Sequence, residues 1–277
     1  MLRPYKIKMN RLKYRSLIKK SKIWVVKIGS SILTQSKGAP DPKVFARLAK
    51  EVAQLRKSGK KVILVSSGAI ACGMHKMSLK KKPTHIAQKQ AIAAAGQIKL
   101  MDLYADVFAK HRLGIAQILL TKEDIVNRGR SLNARHAIHE LLRYGFIPII
   151  NENDTVAVDE IKVGDNDNLS AYVAHLAEAN LLVILTDQEG VYTGDPRVNK
   201  KAQKISLIEN INKKIRNHAF DTKGKSTTGG MITKIQAAEK AARFGVVTVI
   251  ASGKKAGTLT AIAGGKEEGT LILPRKR

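Results

Sequence analysis

Short runs of almost entirely apolar, often β-branched residues recur along this chain and alternate with longer segments of helical spacing. Runs of this kind are typical of strands that are buried on both faces of a mainly parallel sheet. Their alternation with helices is typical of α/β folds. The sequence therefore predicts an α/β fold with strands at residues 23–27, 62–66, 115–120, 146–151, 181–186 and 246–250.

Helical spacing separates these runs and predicts helices over residues 42–57, 86–110, 131–144, 168–178 and 230–244. Asp41 and Pro42 form a helix start, and glycines stand where several helices should end. Residues 155–164 are too short for a crossover helix and predict a β-hairpin. Since no Pro/Ser/Gly-rich linker interrupts residues 23–277, we expect one catalytic domain with two lobes.

Composition excludes several other classes of protein. The chain has 277 residues, 44% of them apolar and 26% charged, which is unlike a disordered chain. Its apolar runs are far shorter than the roughly 20 residues that span a bilayer. Its single cysteine, Cys72, cannot form an internal disulfide, and with no secretory segment recognisable near the start we expect a cytoplasmic protein.

The net charge of +28 raises the alternative of a nucleic-acid-binding protein. Residues 1–22 hold nine Lys/Arg and no acid, and we expect this basic extension to be poorly ordered and without a functional role. The remaining excess is spread along the chain, and aromatic residues make up only 4%, so no base-stacking platform is indicated. A lysine-rich solvated surface is the favoured interpretation.

Ligands of such sheets bind at the carboxyl ends of the strands, where this chain places small and polar residues. Lys27 is followed by Ile-Gly-Ser-Ser, which could present an ammonium group and backbone N–H groups to a phosphate or could be an ordinary turn. Residues 151–154 and 164–168 are crowded with Asn and Asp, which could bind an amino acid or could serve as turn formers and helix caps. An aspartate between two lysines could hold both in position.

Residues 228–234 open a helix with two glycines, and Lys234 follows one turn later, an arrangement that favours a phosphate. Residues 186–196 form a second loop rich in turn formers. A Walker A motif is excluded because Ala219 stands where its first glycine is required. No GxGxxG motif follows a strand, no zinc-ligand spacing occurs, and Cys72 lacks a neighbouring base, so covalent catalysis is not indicated.

With these residues in view, the chain resembles the amino acid kinase family, in its glutamate-phosphorylating branch. The resemblance runs from about residue 22 to residue 274. The segments that carry it are 25–31 (VVKIGSS), 65–71 (VSSGAIA), 149–154 (IINEND), 160–171 (EIKVGDNDNLSA), 185–187 (LTD) and 228–231 (TGGM). It implies a three-layer αβα sandwich whose N-terminal lobe binds the amino acid and whose C-terminal lobe binds ATP.

The resemblance also implies roles for single residues. Lys27 and Lys234 would hold the transferred phosphoryl group, and Asp167, helped by Asp165, would orient both lysines. The residues implied to bind glutamate are Ser67, Gly68, Asn151, Asp154 and Asn166. The residues implied to bind the nucleotide are Lys27, Gly29, Thr186, Asp187, Thr228, Gly229, Gly230, Met231, Ile232, Thr233 and Lys234. Mg²⁺ would accompany the ATP, and we assign it no protein ligands.

Further expectations from the resemblance are phosphorylation of the γ-carboxylate of L-glutamate as the first step of proline biosynthesis, proline as a feedback inhibitor, and a homo-dimer or homo-tetramer. Thr227 stands where the family loop usually has a glycine, and we expect no C-terminal RNA-binding-like domain. The alternatives are another amino acid or acyl-phosphate kinase of the same fold and, outside enzymes, the basic nucleic-acid-binding protein. A membrane partner is not expected.

Overall fold

The structure is a computed structural model, and it describes residues 14–35, 38–81, 83–156, 166–220 and 230–274. Within these ranges the strands are β1 Ile23–Ile28, β2 Lys61–Ser66, β3 Ile115–Leu120, β4 Ile147–Glu152, β5 Leu181–Thr186, β6 Val191–Tyr192, β7 Lys204–Ile205, β8 Leu207–Ile208, β9 Val247–Ser252 and β10 Thr270–Ile272. An eight-stranded sheet has the order β3-β4-β2-β1-β5-β9-β10-β8, and β6 pairs with β7 in a small antiparallel sheet.

Helices connect the strands of the large sheet. They are α1 (residues 14–20), α2 Ser30–Leu33, α3 Pro42–Lys57, α4 Ala69–Lys76, α5 Ile86–Ala109, α6 Lys122–Val126, α7 Arg128–Arg143, α8 Asn166–Leu176, α9 Lys213–Phe220, α10 Met231–Arg243 and α11 Thr258–Ala263. None of the helices in the described residues is long and apolar enough to cross a bilayer.

The sheet lies between two layers of helices because its central strands are apolar on both faces. In β1, Trp24 and Val26 pack with α3 and α5 into one core, and Val25 packs with α8 and α10 into the other. These three side chains have no exposed surface. The prediction of an α/β sandwich with a mainly parallel sheet is confirmed, and only β10 pairs antiparallel to its neighbour β9 within the large sheet.

Parallel pairing brings the loops that carry chemistry to one edge. In the registers of the sheet, Ile28 lies opposite Ser66 on one side and Leu185 on the other, and Thr186 lies opposite Ser252. The carboxyl ends of β1, β2, β5 and β9 therefore meet. Because the edge is shared, residues far apart in the sequence become neighbours there.

One helix start follows from a local capping signal, and another differs from its prediction. The Asp41 side chain accepts a hydrogen bond from Lys43 N at 3.0 Å and caps α3, as expected. Helix α8 begins at Asn166, two residues earlier than predicted, so Asn166 and Asp167 belong to its first turn. The predicted hairpin at 155–164 falls almost wholly outside the described residues, since residues 157–165 are not among them.

The prediction that residues 1–22 form a poorly ordered extension is wrong for residues 14–22. Helix α1 buries Ile18 to 2% exposure, and Arg15 Nη1 donates to Lys266 O at 2.5 Å. The buried ammonium of Lys60 donates to Lys19 O and to Ser21 O, both at 3.0 Å, and so caps the end of this helix. The basic composition concealed an apolar contact that fixes α1 to the core.

We expect Ile18→Ala to lower the free energy of unfolding by about 2–5 kcal/mol, because it removes a buried side chain and leaves a cavity. Leu17→Ala on the same helix is the matched control, since Leu17 is 48% exposed, and its effect should stay within about 0.5 kcal/mol. Urea denaturation of both variants measures the difference. Equal stabilities of the two variants would contradict the docking of α1.

Candidate active site

A buried carboxylate with two lysines lies at the carboxyl edge of the sheet. Lys27 Nζ contacts Asp167 Oδ1, and Lys234 Nζ lies 3.1 Å from Asp167 Oδ2. Asp167 is 1% exposed, and the two lysines are 6% and 7% exposed. The cluster carries two positive charges and one negative charge, so it is suited to hold a further anion away from bulk water.

Three elements bring these side chains together. Lys27 is the penultimate residue of β1, Asp167 lies in the first turn of α8, and Lys234 lies in the first turn of α10. Thr233 Oγ1 is 2.7 Å from Asp167 Oδ2 and 2.9 Å from Gly230 O, which ties the start of α10 to the carboxylate. Ser170 Oγ donates to Asp167 O at 2.6 Å and holds the start of α8.

The electrostatics of Asp167 follow from these neighbours. Burial by itself raises the pKa of a carboxyl group, but the ammonium groups of Lys27 and Lys234 outweigh it and hold the pKa of Asp167 below its usual value. Asp167 is therefore ionised at neutral pH. In the ionised state it separates two cations that would otherwise repel each other across the site.

A network of side-chain amides adjoins the lysines. Asn166 Nδ2 donates to Ser67 Oγ and to Asn151 Oδ1, both at 2.9 Å, and lies 3.3 Å from Ser66 O. Asn166 is 7% exposed, and its Oδ1 is buried with no hydrogen-bond partner in the described residues. A buried acceptor without a partner is costly, and it indicates a place for a ligand that donates a hydrogen bond.

Two glutamines that the sequence analysis did not single out support this network. Asn151 Nδ2 donates to Gln97 Oε1 at 2.9 Å, and Gln97 Nε2 donates to Gln117 Oε1 at 3.0 Å. These bonds fix which way each amide points. Gln97 lies in a long helix, where a glutamine is ordinarily a surface residue, so its sequence position gave no sign of this contact.

The turn after β2 places Ser67 beside Asn166. Gly68 precedes α4 and has φ +117°, a backbone conformation that residues other than glycine rarely adopt. Ser67 N donates to Ile28 O at 3.1 Å, which links this turn to the end of β1. The predicted residues Ser67, Gly68, Asn151 and Asn166 are thus assembled in one place.

Asp154 follows β4 and is partly buried. Burial raises its pKa to about 6, because the ionised carboxylate loses contact with water. An ammonium group placed against it would favour the ionised form.

Thr186 and Asp187, two of the predicted nucleotide residues, lie at the end of β5, on the side of β1 away from β2. Thr186 ends β5, and its Oγ1 is 3.1 Å from Asp187 Oδ1. Gly29 begins α2 close to Lys27 Nζ, and Gly230 begins α10. The Met231 side chain is buried in the apolar core and is not available to a ligand, and Ile232 packs partly buried against the same core.

Three predicted site residues, Asp165, Thr228 and Gly229, lie outside the described residues. A cavity of about 340 Å³ lies elsewhere in the described part of the chain, between α1, α3 and α11, with Lys19, Gln54 and Thr260 in its walls. It contains none of the groups described above. We therefore take the charge cluster and the unpartnered Asn166 oxygen as the candidate site, because they combine buried charges with an unsatisfied acceptor.

Comparison with known proteins agrees with this geometry. The chain is 51% identical over 241 residues to the glutamate 5-kinase of Pelobacter propionicus and 50% identical over 238 residues to that of Geobacter metallireducens. These matches cover 87% and 86% of the chain and 65% and 64% of the two relatives, so the chain spans about two thirds of the length of the curated relatives it matches.

Among solved structures, carbamate kinase from Giardia lamblia bound to AMP-PNP superimposes with a TM-score of 0.65. The match covers 92% of this chain and 99% of that one at 15% sequence identity, a likeness that extends to the fold alone. The profile of the Amino acid kinase family matches residues 22–252, which include β1 to β9. This chain, with its sandwich fold and its paired lysines, belongs to the amino acid kinase family.

Proposed function

We propose that this protein transfers the γ-phosphoryl group of ATP to the γ-carboxylate of L-glutamate and forms L-glutamate 5-phosphate, as the first step of proline biosynthesis. The observation that carries the proposal is the pair of buried lysines around Asp167, together with the unpartnered oxygen of Asn166, the preceding residue in α8. The name of the curated relatives, glutamate 5-kinase, supports the choice of substrate.

Transfer of a phosphoryl group to a carboxylate requires positioning of the two groups and stabilisation of their charge. The γ-carboxylate of glutamate is ionised at neutral pH and needs no general base. The difficulty is bringing this anion onto a phosphate, and Lys27 and Lys234 lower that barrier by neutralising the charge that gathers between the two. Asp167, helped in our proposal by Asp165, keeps the lysines in line with the transferred group.

The amide network suits the other end of glutamate. Asn166 Oδ1 would accept a hydrogen bond from the substrate ammonium group, and the Asp154 carboxylate would balance its charge. Ser67, the backbone of Gly68 and the Asn151 amide would complete the substrate contacts. In this proposal the lobe before α8 binds glutamate.

We assign the nucleotide to the lobe that begins at β5. Gly29, Thr186 and Asp187, with the backbone at Thr228–Thr233, would bind ATP. The described residues provide no group of three or more His, Cys, Asp or Glu that could hold a metal, and the carboxylate of Asp167 is engaged by the lysines. In this proposal Mg²⁺ arrives with the ATP phosphates, and we derive no step through it.

The proposal extends to assembly and regulation. The edge strand β3 is only partly covered, and Ile98 on the adjoining α5 is 61% exposed, which supports a homo-oligomer formed at this edge. Proline carries the same ammonium and α-carboxylate pattern as glutamate and would compete for the Asn166 end of the site. The reaction would take place in the cytoplasm.

Glutamate-dependent formation of ADP, with the acyl phosphate trapped by hydroxylamine as the hydroxamate, tests the function directly. A panel of aspartate, N-acetylglutamate and other small carboxylates separates glutamate from the alternative acceptors of this fold. Activity with one of those in place of glutamate would contradict the substrate assignment. DNA binding that falls steeply with salt, in the absence of any kinase activity, would favour the nucleic-acid alternative.

We expect Lys234→Ala to lower kcat by about 100- to 1,000-fold, because it removes a cation where negative charge gathers in the transition state. Lys240→Ala on the same helix is the matched control, since Lys240 lies over the Tyr172 ring at 4.5 Å and outside the site. Steady-state kinetics of both variants check the prediction. A folded Lys234→Ala enzyme with kcat within a few-fold of wild type would exclude this residue from the mechanism.

We expect kcat/KM for glutamate to fall as the pH drops through about 6, because Asp154 becomes protonated there and loses its charge toward the substrate ammonium group. Neither glutamate nor Asp167 accounts for a transition in this range, since the glutamate γ-carboxyl has a pKa of about 4.3 and the pKa of Asp167 is lowered.

Asp154→Asn should lower kcat/KM for glutamate at pH 7.5 and abolish the decline near pH 6. The matched control is Asp41→Asn, which keeps a capping residue on α3 away from the site. A pH profile of kcat/KM from pH 5 to 8 measures both effects. An unchanged profile in Asp154→Asn would show that another group causes the decline.

A further inference from the structure

Two charged side chains on α3 reach the loop that follows β9. Arg47 and Glu51 are one helical turn apart and lie on the same face of α3. Arg47 Nη1 donates to Lys254 O at 2.8 Å, and its Nη2 donates to Gly253 O. Glu51 Oε1 and Oε2 accept from Gly257 N at 2.9 Å and from Leu259 N at 2.8 Å.

All four contacts are made to backbone atoms of residues 253–259, which comprise the loop after β9 and the start of α11. Glu51 is 5% exposed, and both of its carboxylate oxygens accept hydrogen bonds from N–H groups. Nε of Arg47 is buried without a hydrogen-bond partner in the described residues, so its two terminal nitrogens carry the contact. Charge-assisted hydrogen bonds of this kind are stronger than neutral ones, and together they fix residues 253–259 relative to α3.

The loop held in this way borders the proposed nucleotide site. Gly253 N donates to Thr186 O at 2.8 Å, directly at the end of β5. A Cβ added at Gly253 would lie 3.0 Å from Ile32 Cγ2 and 3.1 Å from Leu185 Cβ. Gly253 is therefore packed between β5 and α2, the short helix that begins immediately after the Lys27–Gly29 turn.

A displacement of this loop would reach both elements. If the carbonyl of Gly253 moved away from Arg47, the hydrogen bond from Gly253 N to Thr186 O would lengthen. The packing of Gly253 against Ile32 would also loosen. The first contact supports Thr186 and the second supports α2, which follows Gly29. Thr186 and Gly29 are both assigned to nucleotide binding. The glutamate contacts at Asn151, Asp154 and Asn166 lie on other elements and do not involve the loop.

We propose that Arg47 and Glu51 are positioning residues for nucleotide binding, which act by holding the 253–259 backbone against β5 and α2. The proposal rests on the proposed function only in assigning ATP to this lobe. It goes beyond that function because neither residue belongs to the phosphoryl-transfer or substrate-binding groups. Its consequence is a selective one: loss of either side chain weakens ATP binding and spares glutamate binding.

The test compares Arg47→Met with Arg56→Met. Arg56 lies on the same helix and also reaches two backbone carbonyls, Lys60 O and Gly145 O at 3.4 Å each, but at the end of α3 near the start of β2. Removing the Arg47 contacts should raise the Kd for ATP, measured by calorimetry, about tenfold. The KM for ATP should rise to the same extent. The KM for glutamate should stay within about twofold of wild type. Arg56→Met should leave both KM values within about twofold of wild type.

Conservative variants separate positioning from folding. Arg47→Lys keeps the positive charge and one donor nitrogen, so it should recover part of the ATP affinity. Glu51→Gln should raise the Kd for ATP several-fold. The test therefore stands even if Arg47→Met does not fold. An unchanged Kd for ATP in folded Arg47→Met or Glu51→Gln would overturn the proposal, as would an equal loss in Arg56→Met. A wild-type protein that binds ATP but does not phosphorylate glutamate would contradict only the proposed function.

Discussion

The buried carboxylate of Asp167 is the interaction on which the rest of the site depends. Two lysines from distant parts of the chain approach each other only because this anion lies between them, and Thr233 ties the first turn of α10 to it. Removing one partner of such a buried ion pair typically lowers the free energy of unfolding by about 3–5 kcal/mol, since a charge is left uncompensated. The arrangement retains one positive charge in excess, which is what an incoming phosphate requires.

The parallel sheet converts this local arrangement into a site with two sides. Strand ends on one side of β1 bring amide groups, and strand ends on the other side bring the small-residue turns. Different hydrogen bonds stabilise the two sides. On one side Asn151 donates to Gln97, and on the other side α3 is hydrogen-bonded to the backbone of residues 253–259. If the two sides bind different ligands, as we propose, the affinity for one can change without a change for the other.

The sequence was informative where a residue type is demanded by its position. Lys27 and Lys234 could be named because strand ends and glycine-rich helix starts indicate anion sites, and the structure brings both to Asp167. Gln97 and Arg47 could not be named, because helical spacing indicates which face is buried and says nothing about which loop a polar side chain reaches. In α1 the positions of Tyr14 and Ile18, one turn apart, were the available signal, and the surrounding basic residues obscured it.

The junction between α1 and the sheet also provides an optical signal. Trp24 is the chain's single tryptophan, its indole N–H donates to Ser21 Oγ at 2.6 Å, and the Lys60 ammonium lies 5.1 Å from its ring centre. All tryptophan fluorescence therefore originates at the seam where α1 joins β1. A shift of the emission maximum to longer wavelength would report water entering this seam, and it could be followed separately from enzymatic turnover as the protein is heated or chemically denatured.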